Sequence, residues 1–183
     1  MQIPPFVGEL SADDARLLTH MASSSERILE FGCGGSTMIM AQVAARYRRI
    51  QSIHSVETDP EWISKTSAIL QKLGCPVVTF MRTHNWGSHI PHDMKFDLIF
   101  IDNAPDERLP SAKHSWERLK DNGRMVFHDT RRHQDARNAM ELVKMYHSAV
   151  ATVTLNPDGS NLTIVQKQSK IDYVDWNEAE GKQ

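Results

Sequence analysis

A carboxylate, a glycine-rich turn and two hydroxyls follow one another without a break in Glu30-Phe31-Gly32-Cys33-Gly34-Gly35-Ser36-Thr37. Ile28-Leu29 leads into the acid, and Met38-Ile39-Met40-Ala41 starts a helical pattern behind the turn. Glycine lets the backbone turn sharply and lets a ligand approach without a Cβ in the way. Strand, glycine turn and helix in this order cradle nucleotide-like ligands at the carboxyl ends of an α/β sheet. The spacing departs from G-x-G-x-x-G, because Ser36 and Thr37 fall where the third glycine region would be. Two more acids end apolar runs, Glu57 after Ser52 to Val56 and Asp102 after Phe96 to Ile101. An acid placed like Glu57 suits a ribose, since a carboxylate accepts hydrogen bonds from both vicinal hydroxyls. Glu30 and Asp102 beside the turn would repel a pyrophosphate and suit a cationic amino group. Charge therefore favours an amino-acid-bearing nucleoside over NAD.

A fifth run, Arg124 to Phe127, ends in His128-Asp129-Thr130. Histidine beside an acid at a strand end is a candidate general base for a hydroxyl proton.

The elements that must position these groups are legible in outline. Ser11 with Asp14 three residues later introduces a helix through Leu17, Leu18 and Met21. Strands are expected at Arg27–Phe31, Ser52–Glu57, Val77–Met81, Phe96–Ile101 and Arg124–Phe127, with helices from about Thr37 to Arg46 and from Asp59-Pro60 to Gly74. Trp62, Thr66, Ile69 and Leu73 share one face of the latter. The link from Arg82 to Lys95 has no helical period and reads as a loop or broken helix beside the site. A helix over Leu109 to Lys120 places Trp116 and Leu119 inward, and Asn122-Gly123 ends it. Ala136, Met140, Val143 and His147 give the next helix its stripe. Ala149 to Leu155 and Leu162 to Gln166 flank a hairpin signal at Asn156-Pro157-Asp158-Gly159-Ser160-Asn161. Alternating strands and helices imply a doubly wound, mostly parallel, seven-stranded Rossmann-like α/β sheet that finishes in an antiparallel hairpin. The expected domain spans residues 1–168, followed by a polar tail over 169–183.

Composition removes several classes of function. The chain has 183 residues, 40% hydrophobic and 24% charged, with a formal charge of −2. No basic field argues for nucleic acid, and no apolar run is long enough to span a bilayer. Met1-Gln2-Ile3-Pro4-Pro5 lacks the regions of a signal peptide, and Cys33 and Cys75 show neither metal-type spacing nor a disulfide framework. A cytoplasmic location is expected, with Asn161-Leu162-Thr163 an incidental glycosylation match.

Four segments together resemble the class I S-adenosylmethionine-dependent methyltransferases. Residues 30–37 look like their first motif, in the E-x-G-x-G-G-S-T form of small bacterial members. Ser55-Val56-Glu57-Thr58-Asp59-Pro60-Glu61-Trp62 resembles the second, and Asp97-Leu98-Ile99-Phe100-Ile101-Asp102-Asn103 the fourth. Asn122-Gly123-Arg124-Met125-Val126-Phe127-His128-Asp129-Thr130 is similar to the strand 5 segment, with Asn-Gly for the usual Gly-Gly. The resemblance implies that Glu30, Gly32, Gly34, Gly35, Ser36, Thr37, Glu57 and Asp102 bind the cofactor S-adenosylmethionine. By the same resemblance, the glycines pass under its methionine part, Glu57 takes the ribose hydroxyls, and Asp102 lies near the methionine end or the acceptor. Asn85 and Trp86 stand where an adenine contact is expected. His128 and Asp129 become the catalytic pair, and the acceptor is the hydroxyl of a small molecule or a glycan. Asp102 with His128-Asp129 partly matches the Mg²⁺ site of catechol-type O-methyltransferases, so a divalent metal stays open.

Each group also has a plainer use. Glu30 could cap the helix after the turn or hold an N–H, Asp129 could cap the helix that follows it, and Trp62 and Trp116 suit helix-to-sheet packing. His84, His89 and His92 read as loop histidines, since ligand spacing is missing. The same crevice could serve an NAD-dependent oxidoreductase, or a non-catalytic S-adenosylmethionine-binding module. No large capping domain is present, so the crevice is open or completed by a second subunit in a homodimer.

Overall fold

The computed structural model of the chain describes residues 10–75, 78–146, 149–153 and 162–169. Helix α1 (Ala12–Ser23) starts on the expected reciprocal cap. The Ser11 hydroxyl accepts from the Asp14 N–H at 3.1 Å, and the Asp14 carboxylate accepts from the Ser11 N–H at 3.3 Å. Then come β1 (Arg27–Phe31), α2 (Gly35–Tyr47), β2 (Ser52–Val56), α3 (Pro60–Lys72) and β3 (Val78–Met81). The Arg82 to Lys95 link carries one short 3₁₀ turn, Trp86–His89. Strand β4 (Phe96–Ile101), α4 (Arg108–Trp116), β5 (Leu119–Phe127), α5 (His133–Met145), β6 (Ala149–Val153) and β7 (Thr163–Lys167) complete the order.

The strands lie side by side as β3-β2-β1-β4-β5-β7-β6. Neighbours from β3 to β5 run parallel, and β7 is antiparallel to both β5 and β6. Helices cover both faces, as a mostly parallel sheet requires. Ala15 and Leu18 of α1, Met38 and Val43 of α2 and Leu70 of α3 pack with Ile28 and Leu98 on one face. Ala112 and Trp116 of α4 and Ala139 and Leu142 of α5 pack with Leu29, Phe31 and Ile99 on the other. No helix among the described residues is long and apolar enough to cross a membrane.

Three expectations need correcting. Asn122-Gly123 does not end a helix. Helix α4 stops at Trp116, and Asn122, at φ +62°, turns inside β5, where the register with β4 jumps from Phe96↔Leu119 to Leu98↔Arg124. Asn accepts left-handed conformations, and here that serves a strand irregularity instead of a helix stop. The stripe of α5 is displaced: Asp135, Asn138, Ala139 and Leu142 face inward, while Met140 is exposed. Two of those inward residues are polar, so a hydrophobic period could not find the face. In α3, Thr66 and Leu70 are buried and both Trp62 and Leu73 are exposed. His147, the hairpin turn and the tail after Ser169 lie outside the described residues.

Candidate functional site

The glycine turn takes backbone conformations that few other residues tolerate. Gly32 sits at φ +91°, and a Cβ there would stand 2.5 Å from the Asp102 carbonyl oxygen. Behind the turn, Glu30 is fully buried. Its carboxylate accepts hydrogen bonds from Ser36 Oγ at 2.5 Å, Thr37 Oγ1 at 2.6 Å and Ser55 Oγ at 2.7 Å. Thr37 Oγ1 in turn accepts the Gly34 N–H at 2.9 Å. Glu30 therefore braces the turn from beneath. It lines neither cavity at the sheet edge, and neither does Thr37.

Burial raises the Glu30 carboxyl from its usual 4.5 to about 7, against the lowering pull of the three hydroxyls. A folded value above the unfolded one favours folding below pH 4.5, and that advantage disappears as pH rises through about 7. The full span corresponds to about 3 kcal/mol. Chemical denaturation at pH 5 and pH 8 should show stability falling with pH in the wild type, and Glu30→Gln should flatten that slope.

Glu57 lies just past β2 and joins two segments. One carboxylate oxygen accepts the Cys33 N–H at 3.1 Å, and the other accepts the N–H groups of Thr58 at 2.7 Å and Asp59 at 2.9 Å. Two cavities meet at Glu57, Trp62, Asp102 and Asn103. The first, of about 390 Å³, extends towards β3 past Phe31, Thr83, His84 and Trp86. The second, of about 360 Å³, extends towards β5 past the glycine turn, Ser36, His128 and Asp129. Trp62 is thus a wall of the site, lying 3.8 Å from where a Gly34 Cβ would be, and not a helix-to-sheet packing residue. Trp116 does pack in the core, at 1% exposure. Trp86 is buried edge-on against Phe31 at 5.4 Å, whereas Asn85 is exposed and lines neither cavity.

At the β4 and β5 ends, the catalytic candidates meet. His128 is 2% exposed, and its Nδ1 lies 3.0 Å from Asp102 Oδ1. A carboxylate can only accept, so that nitrogen carries a proton, and in the neutral ring Nε2 holds the lone pair. Nε2 is buried and has no hydrogen-bond partner among the described residues. Burial pulls the imidazole down, but the Asp102 hydrogen bond and the charges of Asp102, Asp129 and Asp14 outweigh it and hold His128 above its usual 6.5.

Asp129 has φ +58° and does not cap α5, which begins at His133 after Arg132. Its carboxylate pairs with Arg132 at 3.0 Å and Arg108 at 3.1 Å.

Arg108 is the residue that sequence reasoning missed. Only 3% exposed, it reaches Asp102 Oδ1 at 3.0 Å and Asp129 at 3.1 Å, and it also donates to the backbone oxygens of Asn103 and His128. Asp135, buried on α5, lies 3.1 Å from the same guanidinium. A signal existed, since Arg108 is the lone cation between Asp102 and Ala112. His84 faces Glu107 at 3.4 Å on the surface. Asp102, His128 and Asp129 bring their ligand atoms within 4.8 Å of one another and form the one group of metal-ligand type found among the described residues.

Residues 29–130 match the model of a family described as a methyltransferase domain. No curated protein matches the chain. Among solved structures, the O-methyltransferase of Bacillus cereus in complex with SAH is 13% identical, with a TM-score of 0.69 over 91% of this chain and 84% of that one. The O-methyltransferase TomG of Streptomyces achromogenes, involved in tomaymycin synthesis and in complex with SAM, is 15% identical, with a TM-score of 0.68 over 87% and 82%. An rRNA methylase from Streptococcus thermophilus is also 15% identical, with a TM-score of 0.65 over 86% and 95%. At these identities, the likeness is one of fold.

Proposed function

The chain belongs to the methyltransferase-domain family, and from that premise we propose that it is an S-adenosylmethionine-dependent O-methyltransferase acting on a hydroxyl of a small molecule or glycan. The observation that carries the reading is the junction of the two cavities. There a braced glycine turn, the Glu57 carboxylate and the His128–Asp102 pair face one crevice. The donor set fits the cofactor. Glu57 spends three of its roughly four acceptor positions on backbone N–H groups and keeps one, on Oε2, for a ribose hydroxyl. The β3-side cavity between Trp86 and His84 suits the base, and the β5-side cavity over the turn suits the amino-acid end.

The cofactor supplies a methyl carbon on a cationic sulfur for direct displacement. The protein's part is to hold an acceptor hydroxyl in line and to take its proton. His128 is the base: it lines the β5-side cavity, and Asp102 holds its ring through Nδ1. Asp129 is held by two guanidinium groups and orients the centre without accepting the proton.

Calorimetric titration with S-adenosylhomocysteine and with NAD tests the reading. S-adenosylhomocysteine should bind, and NAD should not. NAD binding alone would replace the methyltransferase with an oxidoreductase. Glu57→Ala should weaken S-adenosylhomocysteine by about 10- to 100-fold, the range for hydrogen bonds to a charged group. An unchanged affinity would remove Glu57 from the ribose site.

A further inference from the structure

We infer that Arg108 is a built-in cation that takes the place of a divalent metal at the Asp102–His128–Asp129 centre, so that the centre works without metal. The inference rests on the methyltransferase reading for what the centre does, but not for what neutralises it. The three residues have the ligand types and spacing for an ion, yet their charges are already committed. Asp102 Oδ1 is shared between the Arg108 guanidinium and the His128 ring N–H, each at 3.0 Å. Asp129 is shared between Arg108 and Arg132 at 3.1 and 3.0 Å. A metal here would sit beside a fixed, buried positive charge whose proton cannot be removed. It would also have to displace the Nδ1 proton or the guanidinium from the carboxylates.

Arg108 is built into its position. Its Nε donates to the Asn103 carbonyl at 2.8 Å and one terminal nitrogen to the His128 carbonyl at 2.9 Å, so the backbone on both sides of the crevice fixes the guanidinium. Asp135 supplies a third carboxylate from α5. A lone buried carboxylate on an inward helix face needs a counter-charge, and Arg108 provides one. Arg108 is thus a positioning residue. It fixes the two acids, and they orient the histidine.

Mn²⁺ binding followed by electron paramagnetic resonance tests the inference without an acceptor. Wild-type protein should leave the free-ion signal unchanged at millimolar Mn²⁺. Arg108→Ala should open the acidic centre and raise Mn²⁺ affinity by about tenfold or more, which is at least about 1.4 kcal/mol, and adding Asp102→Asn should abolish the gain. A merely structural arginine would not produce a metal site when removed. If the alanine variant does not fold, Arg108→Gln removes the same charge, keeps hydrogen-bonding capacity and takes its place. One Mn²⁺ bound to the wild type and lost with Asp102→Asn would overturn the inference, as would a folded Arg108 variant that binds none. S-adenosylhomocysteine titration of the same samples reports separately on the methyltransferase reading, and its failure leaves the Mn²⁺ result readable.

Discussion

Replacing His128 with Asn should lower kcat by about 10²- to 10⁴-fold, the usual contribution of a positioned general base, and leave S-adenosylhomocysteine affinity unchanged. Asn can still donate to Asp102 from nearly the place of Nδ1, so the change removes the titrating imidazole and keeps that contact. The rate is read on whichever member of a panel of phenols and sugars takes up a labelled methyl group. A base acts only when deprotonated. Since His128 is held above the usual 6.5, chiefly by Asp102 against the effect of burial, log kcat should rise with pH through a value above 6.5 and then level off. Asp102→Asn removes the main raising influence, so its ramp should move to lower pH. A His128→Asn enzyme with wild-type kcat, or a wild-type profile flat from pH 5 to pH 8, would remove His128 from the chemistry.

Gly32→Ala should be among the most destabilising single substitutions in the chain. The residue holds φ +91°, and the added methyl would meet three backbone atoms: Asp102 O at 2.5 Å, Asp102 C at 2.8 Å and Asn103 N at 3.0 Å. None of these is the end of a flexible side chain, so β1 and β4 must part at their carboxyl ends. Backbone strain of about 1–3 kcal/mol and overpacking of a similar size together give about 4 kcal/mol. For a chain of this length that corresponds to a fall in Tm of about 12 °C, measurable by calorimetry. Gly34→Ala is the informative contrast. Its Cβ would find Trp62 at an ordinary 3.8 Å, so only the strain of a side chain at φ +159° remains, and the loss should be the smaller one, about 1–3 kcal/mol. A Gly32→Ala protein melting within about 2 °C of the wild type would refute the close-approach argument.

What could be read from the sequence was whatever the backbone signals locally. The reciprocal cap at Ser11 and Asp14, the Asp59-Pro60 helix start, the limits of β1 and β4, and the acids that end β2 and β4 all follow from residue types at short spacing. What escaped depends on partners far along the chain. Glu30 is expected among the cofactor contacts because it adjoins the glycine turn. Only the fold brings Ser55 to it and turns it into a brace behind the turn. The α5 face was displaced because Asp135 is inward only on account of Arg108, and Arg108 is inward only on account of Asp102 and Asp129. Each of these residues looks like surface when taken alone. Trp62 was assigned to packing by its size, yet the absence of a side chain on Gly34 is what leaves the space it borders.

The position of β1 has a consequence for how the protein acquires its site. Its partner on one side, β2, follows after one helix, with Ile28 beside Ile53. Its partner on the other, β4, pairs Ile28 with Leu98, across two further strands' worth of chain. The Gly32 turn and Asp102 flank that seam, with Glu57 one strand away after β2 and His128 one strand away after β5. Closing long loops before their contacts form is the slow part of folding. Until β4 and β5 dock, β1, β2 and β3 have no crevice beside them, because the wall that carries Asp102 and His128 is missing. In refolding, ligand-binding capacity should therefore emerge only in the last kinetic phase, together with the burial of Phe100. A nascent chain released before β5 would possess the glycine turn and still lack the wall that faces it.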